Sequence, residues 1–465
     1  MIKEGTIVLL MVLFCVPAPL FAVDMTGSSR TYFQGRESYD GDTYLPLFEY
    51  LDFSLNDFAK DEYSFHFGGW ARRDLNNQKS FDERNANLDL QYAYVDLHRD
   101  TANTVVDFGR VPVYEGVASE SVDGLYARSD FLHGFGAAAY GGVPVETDFD
   151  TRSSDRIFGA RVYRRQPGLY QVGISYLKER NNGSDFRTEE GLDLHVHPME
   201  KVEVFGRSTY NGETTGWMEH SYTVTYVPLD ELRLIGEFDD VDYKNYFADV
   251  DTHTTGVFDM GLGVLDPDEK MLELGLRGEY TLRDDLVLTA LLRNYNYSVT
   301  DNANYYGAGL TWQSEDEMGG GCSLYRMDGQ SDARRYYEFR VYAFKKYDKA
   351  DVTLDLFNVH YDASINGDSN AFSFSVVGGY ALGENSRVSA NIEYGDNPTY
   401  STDLRLFVKY IHNFDISPVK MPKMKMPKLA LSDIHLPAWT FPFPWKKDNG
   451  SADSGADDST KEKTE

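Results

Sequence analysis

Charged side chains recur at alternate positions along many stretches of this chain, with Leu, Val, Ile, Tyr or Phe between them. Arg161, Arg207, Arg233, Glu237, Glu273, Arg277, Glu279, Arg293, Glu338, Arg340, Glu393, Arg405 and Lys409 all occur in such places. Rows of both signs do not make or break bonds. They hold water, pair with one another and orient passing ions, which is the chemistry of a polar conduit. Other groupings are weaker. His195 and His197 stand at i and i+2, on one face if the segment is a strand. Zinc would want a third ligand and the spacing names none, so no metal is assigned. Asp239, Asp240, Asp242, Asp249 and Asp251 lack EF-hand spacing and read as a solvated acidic loop. A serine hydrolase needs a Ser with a nearby His and an orienting acid; the histidines are scattered and Gly-x-Ser-x-Gly is absent. There is no Cys-x-x-Cys-His for covalent haem. The chain is read as no enzyme and as holding no cofactor.

The elements that must carry these charges are strands. In Met271–Tyr280, Leu272, Leu274, Leu276, Gly278 and Tyr280 share one face, and Glu273, Gly275, Arg277 and Glu279 the other. Tyr170, Val172, Ile174 and Tyr176 oppose Gln171, Gly173 and Ser175 in the same way. A helix would scatter these apolar residues around its axis. The pattern recurs from about Ser28 to Phe414. Connections alternate too. Tight ones fall at Arg99–Thr101, Gln166–Gly168, His197–Glu200, Pro228–Asp230, Arg283–Asp285, Asp348–Ala350 and Gly383–Asn385. Longer ones fall at Asp74–Glu83, Glu179–Glu190, Val241–Glu269 and Ser364–Asn370. Such alternation is how an outer-membrane barrel is threaded. A propeller or β-helix would need a repeated signature, and none is visible.

These observations predict an all-β fold, a transmembrane antiparallel meander β-barrel of roughly 20–22 strands, with 18 also open. The higher count requires Asp123–Arg128 and Phe135–Val145 to form an extra hairpin; otherwise Pro112–Asp155 is one long loop. The first strand is expected near Ser29–Arg36.

Composition agrees. Among 465 residues, 45 Lys+Arg face 74 Asp+Glu, a formal charge of −29. That charge argues against a nucleic-acid binder. With 14% aromatic residues the chain is no disordered polymer, and with two cysteines it is no disulfide scaffold. A negative mean hydropathy of −0.46 beside so many aromatics suits a barrel, in which only alternate residues face lipid. Lys3, the apolar run Thr6–Phe21 and the small Ala22 have the layout of a secretory signal peptide, residues 1–22. No later run is long and apolar enough for a transmembrane helix.

Two segments carry a resemblance. The stretch Asp403–Phe414, with Leu406, Val408, Tyr410 and Phe414 on one face, resembles the C-terminal signal that the barrel-assembly machinery reads in outer-membrane proteins. His412 departs from that pattern, as does the position of the stretch well before the chain end. The run V-D-F-G-R-V-P-V-Y-E-G-V, then S-V-D-G-L-Y-A-R, within Val106–Tyr163, resembles alginate-export-type and related bacterial porins. The resemblance implies that the segment after Gly109-Arg110 folds toward the lumen and narrows it, with Asp123 and Gly124 at the inner rim. The other reading is that Arg110 and Asp123 merely pair at a strand end.

After residues 23–414, taken as the barrel, comes a tail, 415–465, expected to be mostly disordered and periplasmic. Its first part is rich in Pro, Met and Lys and includes Trp439, Phe441, Phe443 and Trp445; its last part is acidic. The aromatic residues could dock a periplasmic protein, for example a multihaem cytochrome. They could instead lie on lipid or fold back as a plug. The remaining partners expected are outer-membrane lipid and lipopolysaccharide. The function so read is an outer-membrane channel for passive or weakly selective passage of small solutes. The alternative is the barrel sheath of a porin–cytochrome electron-transfer complex.

Overall fold

The computed structural model describes residues 21–37, 42–57, 62–78, 85–145, 154–247, 266, 268–398 and 402–421. The signal segment up to residue 20, the tail beyond Met421 with its four aromatic residues, and Asp249 and Asp251 lie outside the described residues.

Alternation becomes wall. In the ladder between Leu232–Asp242 and Lys270–Arg283, Phe238 faces Leu274 and Leu234 faces Gly278. Leu274, Leu276 and Tyr280 are exposed on the outside. Glu273, Arg277 and Glu279 point the other way and enter ion pairs. The same division continues around the sheet, with Leu292, Leu324, Leu354, Ile392 and Leu404 exposed on the outer face. An apolar exterior of this kind suits lipid, while the backbone groups are satisfied from strand to strand.

Twenty-two long strands form this wall, each antiparallel to its neighbours; the remaining segment, Thr43–Tyr44, only bridges Glu37 and Arg36. The last strand, Thr402–Met421, pairs with the first, Phe21–Glu37, from Phe21↔Met421 to Gly35↔Leu406. That pairing closes the sheet and leaves both ends of the described chain at the same rim, here called the terminal rim. Counts of 18 and 20 are excluded, because Ala118–Asp130 and Phe135–Pro144 each form a strand. The first strand is longer than the expected Ser29–Arg36, and the last runs past Phe414. Phe414 lies opposite Gly27, where the absent side chain leaves room for its ring.

Loop lengths depart from expectation in two places. Glu179–Glu190 is a tall hairpin, Tyr170–Asn181 and Ser184–Met199, turned by Asn182-Gly183 alone. Ser364–Asn370 is likewise turned by Asn366-Gly367. Both turn residues have positive φ in each case: 50° and 83°, then 51° and 100°. Asn-Gly is the pair that tolerates two such residues in a row and matches the twist of the flanking strands.

At the rim opposite the chain ends, Glu269 precedes the strand Lys270–Arg283 and is buried. Burial alone would raise its carboxyl. The amides of Val299 and Thr300, each at 2.8 Å, together with hydroxyl donors, outweigh burial and hold it at about 2. A lowered carboxylate contributes stability above its unfolded value of 4.5, and loses it as pH falls toward 2. Glu269→Gln should therefore loosen the 298–302 connection at neutral pH. The difference from the parent in amide exchange at Val299 and Thr300 should vanish across that acid window.

Candidate functional site

One hairpin leaves the wall. The strand Thr104–Glu115 pairs with Ala86–Arg99 only from Arg99↔Thr104 to Ala93↔Arg110. Its partner, Ala118–Asp130, pairs with Phe135–Pro144 only as far as Val122. Between Arg110 and Val122 the two strands keep each other but follow no wall strand along their full length.

Glycines permit the departure. Gly109 has φ of +133°, and a Cβ there would stand 2.3 Å from the Ala93 carbonyl oxygen. Gly124 and Gly142 pack backbone to backbone: a Cβ on Gly124 would meet Gly142 Cα at 2.8 Å, and the reverse also holds. No other residue fits such an approach. Arg110 then fixes the bend. Its Nε and Nη2 donate to both Asp123 oxygens at 2.8 and 2.9 Å, and Nη1 donates to the Leu90 carbonyl at 2.7 Å. The guanidinium thus ties the departing hairpin to the strand it leaves. Such bidentate, charge-assisted contacts are the directional ones.

Beyond the bend the hairpin turns inward. Its tip at Gly116-Val117 reaches across to Arg156–Gln166, Tyr170–Asn181 and Ser184–Met199. The Val117 amide donates to Ser175 Oγ at 3.1 Å, and Glu115 pairs with Arg161 at 3.2 Å. Ser175 and Arg161 lie on the inner face, since their neighbours Ile174 and Val162 are exposed outside. Val111, Val113, Ala118 and Val122 pack with Tyr140, Ile157 and Leu177 into a small apolar core inside the barrel. Tyr126 donates to Glu115 at 2.6 Å beneath it. Burying each valine contributes about 1.5 kcal/mol. The hairpin is thus held by packing as well as by charge.

Where the tip meets the wall, charge collects. Arg187 pairs with Glu120, Glu179 and Glu189. Arg161 also pairs with Asp193, and Arg207 with Glu219 at 2.6 Å. Six carboxylates therefore surround three guanidinium groups, leaving a local charge of −3. A cavity of about 260 Å³ opens here, lined by Val117, Glu120, Arg187, Asp193, Arg207, Glu219 and Tyr246, among others. Tyr246 belongs to a short helix, Tyr243–Tyr246, whose Asn245 is held by Asn211 and Trp217.

The other charges named from the sequence lie along the wall. Arg293 bridges Glu237 and Glu273 at 2.9 and 3.1 Å, and Glu279 stands beside Arg233 and Arg277. Arg340 pairs with Asp355, Arg405 with Asp403, and Glu338 accepts from Tyr305. Glu393 accepts from Ser373, and Lys409 lies 5.1 Å above the Tyr32 ring. Among the described residues, ion pairs lie within one strand or its adjoining turn or link strands that are adjacent or one apart, except where the inward hairpin takes part. Pairing across the lumen, the arrangement that would brace the barrel, is not what these side chains do. A wall of this strand number is about 40 Å across between backbones, too wide for two side chains to span.

Sequence reasoning missed Glu115, Glu120, Glu179, Arg187, Glu189, Asp193 and Glu219. Glu179, Arg187 and Glu189 fell in what was read as a loop. The Asn182-Gly183 pair was the available signal: a two-residue turn there extends both strands and puts alternate residues inside.

The chain matches no known family model and no curated protein. Among solved structures it is similar to a mutant form of the ferric enterobactin receptor of Pseudomonas aeruginosa, at 9% identity and TM-score 0.53. It is also similar to the siderophore receptor PirA of Acinetobacter baumannii, at 9% and 0.52, and to PirA of Pseudomonas aeruginosa, at 13% and 0.51. Each similarity covers 86% of this chain and 81% of the other. These similarities are of fold. With the closed wall and apolar exterior, they make this chain an outer-membrane, multi-pass β-barrel.

Proposed function

We propose that this barrel is a passive, weakly cation-preferring pore for small solutes, narrowed by the hairpin that follows Arg110. The observation that carries this reading is that hairpin: a fixed inward element, buried against one side of the wall, whose tip is ringed by six carboxylates and three arginines. Water held by charged rows gives ions a path, and a net negative field favours cations. Purified protein in planar bilayers should give ohmic single-channel steps that persist when residues 422–465 are deleted.

The width of the wall favours a second reading, a sheath around an electron-carrying partner docked by the tail. It predicts silent bilayers until a haem protein co-purifies. The hairpin counts against it, since it takes up lumen that a protein filling the barrel would need.

A further inference from the structure

The strands Ser184–Met199 and Val202–Asn211 meet near the terminal rim, away from the hairpin. In their register His195 stands opposite Phe205 and Val196 opposite Val204. The ladder shifts after Val196, and the His197 ring lies 4.7 Å from that of His195. Asp193 and Arg207 lie on the same inner face, so His195, His197 and Glu203 face the lumen. His195 Nε2 lies 2.7 Å from Glu203 Oε1, and His197 Nε2 lies 3.8 Å from the same oxygen. One ligand atom from each residue falls within 4.8 Å of the others. The Phe205 ring meets His195 edge-on at 6.1 Å and limits its swing.

These distances suit a metal. Nitrogen and oxygen donors about 2.0–2.1 Å from a tetrahedral ion stand about 3.4 Å apart. The observed separations bracket that value, so rotation about side-chain bonds suffices. Two imidazoles and a carboxylate form a donor set that first-row transition ions favour, whereas magnesium and calcium take oxygen. All three side chains are 40–44% exposed, so an ion reaches them from water and a fourth position stays open. The third ligand is supplied by the neighbouring strand, which spacing along a single strand does not reveal.

We propose that His195, His197 and Glu203 form an exchangeable site for a transition dication of the zinc class, at the terminal-rim mouth of the lumen. The site stands whether or not the lumen conducts. It is tested on the folded full chain in detergent, purified through a tag without histidine. Zinc titrated by calorimetry should show one histidine-dependent equivalent that excess magnesium does not displace. Cobalt should give the absorption of a four-coordinate ion. His195→Ala or His197→Ala should abolish that equivalent, and Glu203→Gln should weaken it by more than about tenfold. Heat-modifiable gel migration checks that each variant is a folded barrel. Copper bound to the unaltered chain should show hyperfine coupling to imidazole nitrogen, a readout that needs no variant. Zinc binding unchanged in the double histidine variant, displacement by magnesium, or copper with oxygen ligands alone would each overturn the site.

Discussion

Val113→Asp should release the inward hairpin from the wall, read as the loss of one steady single-channel level in favour of a fluctuating conductance. Val113 is 1% exposed and lies in the apolar core that holds the hairpin to the inner wall. An unpaired carboxylate buried there costs about 3–5 kcal/mol. The hairpin's three buried valines contribute about 1.5 kcal/mol each. The penalty thus nearly cancels the packing that keeps the hairpin down, and moving into the water of the lumen relieves it. The ladders that join this hairpin to the wall, Arg99↔Thr104 to Ala93↔Arg110 and Asp130↔Gly136 to Val122↔Pro144, do not include Val113. Heat-modifiable migration should accordingly be unchanged. Val113→Thr buries a hydroxyl for about 1–3 kcal/mol and should show the same fluctuation more rarely. An equal and equally steady conductance in the parent and in a folded Val113→Asp barrel would sink the constriction.

The second large effect concerns ion selectivity. A unit charge about 8 Å from a passing ion in water changes its energy by about 0.5 kcal/mol, about twofold in population. Three net negative charges at the hairpin tip should then enrich cations there by up to about eightfold and deplete anions by as much at low salt, and much less at 1 M, where screening acts within about 3 Å. The pair Asp193→Asn and Glu219→Gln lowers the local charge from −3 to −1. Reversal potentials in a salt gradient should fall to match, the local cation enrichment dropping by about fourfold. A selectivity that ignores these residues would place the controlling charges elsewhere in the lumen.

Much of this was legible before any coordinates. The faces of Met271–Tyr280 were read correctly because a strand divides its side chains by parity, and lipid and water impose opposite demands on the two sets. Even strand number followed from the alternation of turns. The Gly109-Arg110 and Asp123-Gly124 pairs were visible as a motif, although spacing alone left open whether they shape the lumen or only join at a strand end. Arg233, Arg277 and Glu279 were read together from parity, since a charge on the lipid side is costly, and Glu279 stands beside both guanidinium groups.

What could not be read was who meets whom between strands that are far apart in the chain. Glu120 and Arg187 are 67 residues apart, and nothing local ties them. Their contact exists because Gly109, Gly124 and Gly142 let a hairpin leave the sheet and fall back on strands further along the wall. Glu203 joins His195 and His197 for a related reason: the register between two strands is set by their turn and by ladder hydrogen bonds. The sequence by itself determined the class of fold, its two faces and its acidity, because these depend on parity and on composition. The tertiary structure alone decided the constriction, its net charge and the grouping of ligands, because these depend on how a closed sheet brings distant strands to one face.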